Sequence, residues 1–257
     1  MAPQDLLTAL RDQNPLVHCM TNYVAMNIAA NVVLAAGASP AMVHAPEEIA
    51  DFTPICGALT INIGTLSAPW LASMTAAATS ANTHNIPWVF DPVAHFISDY
   101  RKTATQELLS LRPTIVRGNA SEILALAGEA GAGKGADSGD SVDAAQGAAK
   151  SLAIEFGAVV AVTGPVDYVT DGTREAHISG GSPLMPQVTA LGCSQTALMG
   201  AYAATGPAFD AALAALANFK AAGSMAAKLA AGPGSFQMHF LDALAAVQPA
   251  DLAKTFA

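Results

Sequence analysis

Short apolar runs rich in β-branched residues alternate along this chain with longer Ala- and Leu-rich stretches. The runs are PLVHCMT (15–21), SPAMVH (39–44), ALTINIGTL (58–66), PWVFDPV (87–93), TIVRGN (114–119) and AVVAVTG (158–164). None shows the strict apolar/polar alternation of a half-exposed strand, so each reads as a strand covered on both faces. The stretches between them, near 25–36, 47–54, 68–84, 101–111, 120–127 and 141–156, read as helices. Strand–helix–strand alternation of this kind predicts an α/β fold: three layers, α/β/α, around a mostly parallel central sheet.

The pattern changes after residue 164. DYVTDG (167–172) and REAHISG (174–180) read as a hairpin turning at Gly172. Beyond Cys193 the chain reads as helical, with breaks at Gly206-Pro207 and at GPGS (232–235), where Ser235 is a candidate cap for the last helix. No repeat or linker divides the 257 residues, which are expected to form one domain, 1–257.

Apolar residues make up 52% of the chain and charged ones 12%, enough for a large buried core and a buried subunit interface. A net charge of −9 argues against nucleic acid or an anionic membrane as partner. The start MAPQDLLTALRDQ has no basic segment followed by an apolar run, and the Ala-rich stretch 197–217 is interrupted by Gly206-Pro207 and Asp210. Neither reads as a leader or a membrane span. Three cysteines without metal-ligand or disulfide spacing fit a reducing, cytoplasmic setting.

Several residues carry candidate chemistry. GEAGAGKG (128–135) imitates a phosphate-binding loop, but it lacks the final Ser or Thr and follows a helix pattern rather than a strand. It reads as a surface loop. In VTALGCSQT (188–196), Gly192 and Cys193 open an apolar helix. Unpaired N–H donors at such a place attract phosphate and lower a thiol pKa, although a buried structural Cys fits the same letters. Asp91 ends one strand, and Glu122 opens the helix after another. Two acids at the C-terminal edge of a parallel sheet suit Mg²⁺ with phosphate, while Asn119 and Glu122 also spell a helix capping box. Arg117, one of only 11 Lys and Arg residues, stands at a strand end, where burial calls for a phosphate or a carboxylate partner. Thr163 supplies a strand-end hydroxyl. His18 and His95 are strand-associated imidazoles that a cysteine hydrolase built on Cys193 would need as a base.

Taken in order, NPLVHCMTNYV (14–24), GASPAMV (37–43), INIGTL (61–66), DPV (91–93), RGNASEILALAG (117–128), VTGPVDYVTDG (162–172), the Gly192-Cys193 pair and GPGSF (232–236) resemble the hydroxyethylthiazole kinase family. That family is the thiamine-salvage branch of the ribokinase-like superfamily, and the likeness spans nearly the whole chain. It implies ATP-dependent phosphorylation of the hydroxyl of 4-methyl-5-(2-hydroxyethyl)thiazole, with Mg²⁺, by a homotrimer with sites near its subunit interfaces. By motif, Met42, Asn22 and Ala190 would contact the thiazole. Arg117, Thr163 and Gly192 would contact ATP, and Asp91 and Glu122 would surround the metal. Cys193 would stand where most related sugar kinases carry an aspartate base.

Two departures from the family pattern stand out. Ala190 replaces a glycine of G-x-G-C, and Ala94-His95-Phe96-Ile97 replaces a small, Gly-containing run after DPV. They leave open a kinase for a related hydroxylated heterocycle, or a non-catalytic thiazole- or nucleotide-binding relative. An alanine at 190 is strained if its φ is positive.

Overall fold

The computed structural model describes residues 1–129 and 140–256. The phosphate-loop look-alike at 128–135 therefore lies almost wholly outside the described residues. In chain order the elements are α1 (Pro3–Gln13), β1 (Leu16–Met20), α2 (Met26–Ala36), β2 (Ser39–Ala41), α3 (Pro46–Phe52), β3 (Ala58–Asn62), α4 (Ala68–Thr83), β4 (Trp88–Asp91), α5 (Asp99–Ser110), β5 (Ile115–Asn119), α6 (Ala120–Leu126), α7 (Val142–Phe156), β6 (Val159–Thr163), β7 (Asp167–Thr170), β8 (Glu175–Ile178), α8 (Leu191–Ala203), α9 (Ala208–Ala227), α10 (Pro233–Ala246) and α11 (Pro249–Ala253).

The strands form one 8-stranded sheet in the order β2-β1-β3-β4-β5-β6-β7-β8. Pairing is parallel from β2 through β6, and β7 and β8 close the sheet as antiparallel strands. The hairpin turns at Gly172 with φ +89°, a left-handed conformation that glycine tolerates without a Cβ clash.

Alternate residues of each strand serve two cores, as a two-residue repeat requires. Val17, Val89, Ile115, Val159 and Ala161 join α1, α2, α8, α9, α10 and α11 on one face. Leu59, Ile61, Trp88, Phe90, Val116, Val160 and Val162 meet α4, α5, α6 and α7 on the other. The expected three layers are present, and the sequence-predicted strands run past the observed ones at their C-terminal ends. Those extra residues, such as 63–66 after β3, form the loops that carry the site.

One expectation is refined. Ser235 caps the start of α10 from inside its first turn, while Gly232 holds the N-cap position. Ser235 Oγ accepts from Ala231 N at 2.9 Å and Gly232 N at 3.2 Å. Pro233 occupies the first helical position, and α11 follows α10. Helix α1 precedes the first strand and buries Leu6, Leu7 and Leu10 along one face.

Helix α8 is the element that brings the site together. Ser194 through Ala203 are all buried, because α8 lies between the sheet and helices α2 and α9. Gly200 permits the close approach: a Cβ there would lie 2.2 Å from Thr60 Cγ2 on β3. The start of α8 is thereby held over the C-terminal ends of β1, β3, β4 and β5.

Candidate active site

Strand register lines up polar residues on the α8 face of the sheet. Asn62 pairs with Asp91 across β3 and β4, and Arg117 lies one step beyond the Phe90–Val116 pair of β4 and β5. These three interrupt otherwise apolar strands at their last turns, where α8 arrives.

Asp91 is fully buried, and its Oδ2 accepts from Thr196 Oγ1 at 2.6 Å, Asn62 Nδ2 at 2.8 Å and Arg117 Nη1 at 3.4 Å. Its Oδ1 is buried and makes no hydrogen bond among the described residues. Burial raises the Asp91 pKa, and the Arg117 charge opposes that rise. Arg117 also donates through Nη2 to Thr163 Oγ1 at 2.7 Å and to Gln195 Oε1 at 3.3 Å. The carboxylate partner expected for a buried Arg117 is thus Asp91, yet the guanidinium still lines an open cavity, and its Nε has no partner among the described residues.

That cavity holds about 480 Å³ and lies between Thr163-Gly164, the 180–186 loop, α9 and the start of α8. Gly192 faces it, and a Cβ at 192 would come within 3.2 Å of Arg117 Nη2, so a larger residue there would crowd the guanidinium. Leu191 N is already spent on Val188 O at 3.3 Å, while Ser194 N bonds Ala190 O at 3.0 Å. Gly192 N and Cys193 N, between them in the first turn of α8, are the helix-start donors suited to an anion.

A chain of side-chain hydrogen bonds leads from Asp91 to the thiol. Asn62 Oδ1 accepts from Asn22 Nδ2 at 2.8 Å, and the same Nδ2 lies 3.4 Å from Cys193 Sγ. Asn22 is fixed from behind, because its Oδ1 accepts from Ala25 N at 3.0 Å. Gly64 leaves room for it, since a Cβ at 64 would lie 2.7 Å from Asn22 Nδ2. Burial, and then the charge of Asp91, push the Cys193 thiol up to about 11. The expected lowering at a helix N-terminus is overridden by these two effects, and the resting group is a neutral thiol.

Glu122 is buried at the start of α6. Its Oε1 accepts from Ala94 N at 3.0 Å and its Oε2 from Asn119 N at 2.8 Å, while Asn119 Oδ1 accepts from Glu122 N at 3.0 Å. The capping box is thus real, and the carboxylate also ties down the loop after β4. Burial and the nearby Asp91 charge push Glu122 up to about 7.

Both alanine departures fall on left-handed backbone. Ala190 has φ 58° and ψ 11°, and Ala94 has φ 49° and ψ 38°. Each sits where an L-residue pays about 1–2 kcal/mol and glycine does not. The added bulk of His95 turns away into the core, where its Nε2–H donates to Glu122 O at 3.0 Å. His18 lies on the opposite face of β1, bonded to Val43 O at 2.9 Å and Thr53 Oγ1 at 3.2 Å. Neither imidazole bonds to Cys193, so the hydrolase arrangement is not formed.

Met42 is half-buried just past β2, packed on the α8-side core and outside the hydrogen-bonded network. Of the residues the sequence singles out, Asn22, Asp91, Arg117, Thr163, Gly192 and Cys193 are joined in that network or around its cavity. Sequence reasoning missed Asn62, Thr196, Gln195, Asp167 and Lys220. Asn62 was legible as a polar residue ending an apolar strand, whereas Thr196 and Gln195 needed the helix phase of α8.

The eight-stranded sheet has a ribokinase-like fold, and an arginine and a buried carboxylate lie where its C-terminal edge meets the start of a helix. At the level of fold alone, pyridoxal kinase from Bacillus subtilis superposes with a TM-score of 0.62 at 18% identity, covering 80% of this chain and 90% of that one. A profile of the Hydroxyethylthiazole kinase family matches residues 7–250, and the chain belongs to that family. It is 83% identical to the hydroxyethylthiazole kinase of Roseobacter denitrificans over 254 residues, 99% of each chain. It is 59% identical to that of Cereibacter sphaeroides over 95% of this chain and 93% of the relative. The solved hydroxyethylthiazole kinase protein of Pyrococcus horikoshii matches with a TM-score of 0.92 at 37% identity, covering 99% of this chain and 97% of that one.

Proposed function

We propose that this chain transfers the γ-phosphoryl group of ATP to the primary hydroxyl of 4-methyl-5-(2-hydroxyethyl)thiazole, the thiazole branch of thiamine salvage. One observation carries the reading. The cavity lined by Arg117, Thr163 and Gly192 adjoins the start of α8, where the Asp91–Asn62–Asn22 chain ends on Cys193.

ATP fills the cavity with its phosphates toward Arg117, Thr163 and the N–H groups of Gly192 and Cys193. The residues fit Mg²⁺, because Asp91 Oδ1 is a buried carboxylate oxygen without a partner, a donor of the kind this ion takes beside phosphate and water. Asp91 would hold the ion, and Glu122 would shape its surroundings, since each Glu122 oxygen already accepts a backbone N–H. When bound, Mg²⁺ neutralises charge on the phosphate oxygens.

The thiazole lies against Asn22, Met42 and the main chain of Ala190, with its hydroxyl between Cys193 Sγ and the γ-phosphate. Phosphoryl transfer passes through a loose transition state that asks chiefly for positioning and charge stabilisation. The neutral Cys193 thiol serves it by orienting the hydroxyl. As the hydroxyl oxygen bonds to the γ-phosphorus, the β–γ bridging bond breaks, ADP leaves, and the hydroxyl proton passes to an oxygen of the transferred phosphate. Arg117 and the first-turn amides of α8 stabilise the charge on the transferring group.

One continuous sheet supports reading residues 1–257 as a single kinase domain. A homotrimer is supported by exposed apolar side chains next to Asn22 in the chain, Tyr23 at 63% and Val24 at 57% exposure. A second copy of the chain would cover such a patch. Three free cysteines accord with a cytoplasmic setting, and no described helix is long and apolar enough to cross a membrane.

Phosphorus NMR of the protein mixed with Mg·ATP and the thiazole alcohol tests the reaction. A new phosphate monoester signal that appears with ADP is expected. ADP with inorganic phosphate alone, or no change, rejects the transfer.

A further inference from the structure

The cavity has a second polar cluster that the phosphate contacts do not use. Asp167, the first residue of β7, is 1% exposed and faces the cavity. Its Oδ1 accepts from Gly164 N at 2.8 Å and lies 3.3 Å from Lys220 Nζ. Its Oδ2 is buried and has no hydrogen-bond partner among the described residues.

Lys220 cannot supply the missing bond. It is 4% exposed on α9, and its Nζ donates to Gly164 O at 2.6 Å and Pro165 O at 2.9 Å. With Asp167 Oδ1, these contacts use the three protons an ammonium carries. Lys220 holds the opposite wall as well, because its backbone O accepts from Gly181 N at 3.1 Å. Both walls of the cavity are therefore braced by one residue, and Asp167, which lines the cavity, is left with its buried Oδ2 unpaired among the described residues. A buried acceptor without a donor is costly, so this arrangement calls for a donor from the ligand.

The chemistry of a nucleotide limits what that donor is. Phosphate oxygens are anionic acceptors, repelled by a carboxylate and matched instead to Arg117. The donors lie on the nucleoside half: the ribose hydroxyls and the exocyclic amine of the base. Resting on the kinase reading above, we propose that Asp167 reads the nucleoside, its Oδ2 accepting a hydrogen bond from a hydroxyl or amine of the bound nucleotide. Asp167 is then a specificity residue for the phosphoryl donor, distinct from the residues that hold the phosphates.

The experiment compares kcat/KM for ATP, 2′-deoxy-ATP, 3′-deoxy-ATP and ITP, in the wild-type chain and in Asp167→Asn. In the wild type, the analogue lacking the donor loses about tenfold or more, the worth of one hydrogen bond to a charged group. The two deoxy nucleotides report on the ribose, and ITP reports on the amine. Asp167→Asn loses a similar factor on ATP and no longer separates ATP from that analogue. A purely structural residue would slow all four nucleotides equally and keep their ratios, and that result overturns the proposal. Wild-type use of all four within twofold overturns it too, with no variant needed. Absence of turnover with every nucleotide removes the kinase reading itself, and this proposal with it.

Discussion

Arg117 Nη2 donates to Thr163 Oγ1 at 2.7 Å, joining the ends of the neighbouring strands β5 and β6 at the wall of the cavity. The same guanidinium reaches Asp91 and Gln195, so its plane is set by three elements at once. Lysine keeps the charge but not the fork. Arg117→Lys is expected to lower kcat/KM for ATP by about tenfold to a hundredfold. Thr163→Val is expected to act mainly through KM for ATP. Steady-state kinetics with ATP varied at saturating thiazole measures both.

Cys193 gives a sharper contrast. With its thiol pushed up to about 11, a required thiolate would make kcat climb roughly tenfold per pH unit between pH 7 and 9. A positioning thiol leaves kcat flat over that range. Cys193→Ala is expected to remain a weak kinase, and Cys193→Asp to retain activity. Complete loss in both variants, with folding and ATP binding intact, contradicts a replaceable role.

The two left-handed alanines are expected to respond alike. Ala190→Gly and Ala94→Gly should each raise stability by about 0.5–1 kcal/mol, because relief of φ strain outweighs the entropy glycine adds to the unfolded chain. Ala76→Gly, on the exposed face of α4, should instead cost about 1 kcal/mol. Urea unfolding midpoints at equal slope distinguish the signs.

His18 predicts a pH dependence. Its ring is satisfied in the neutral form, with Nε2–H donating to Val43 O and Nδ1 accepting from Thr53 Oγ1. Burial lowers its pKa from 6.5 to about 4. Below pH 6.5 the unfolded chain takes up a proton that the native one refuses, so stability falls as pH drops from about 6.5 to 4. The loss is on the order of 3 kcal/mol. His18→Gln should flatten that part of the curve in unfolding experiments at stepped pH.

The layers were legible because fully buried strands and amphipathic helices have different apolar periods, and those periods are local. Gly172 marked its hairpin for the same reason, since a tight turn needs a residue free of Cβ. The site was legible in part: Asp91, Arg117, Thr163 and Cys193 each stand out as polar letters at the ends of apolar runs. What joins them was not. Thr196 bonds Asp91 across 105 residues of chain, and Lys220 meets Gly164 across 56. Such pairings follow from the seating of α8 and α9 on the sheet, which no local pattern states. The helix end that lowers a thiol pKa is visible in the letters, while the burial and the Asp91 charge that raise it at Cys193 are not.

Release of ADP from Mg·ATP, followed with and without 4-methyl-5-(2-hydroxyethyl)thiazole and beside a panel of hydroxylated thiazoles and pyrimidines, bears most directly on the account. Saturable ADP release that depends on the hydroxyethylthiazole, with the highest kcat/KM for that alcohol, is the predicted result. A folded, ATP-binding protein that releases no ADP with any hydroxyethylthiazole would contradict it.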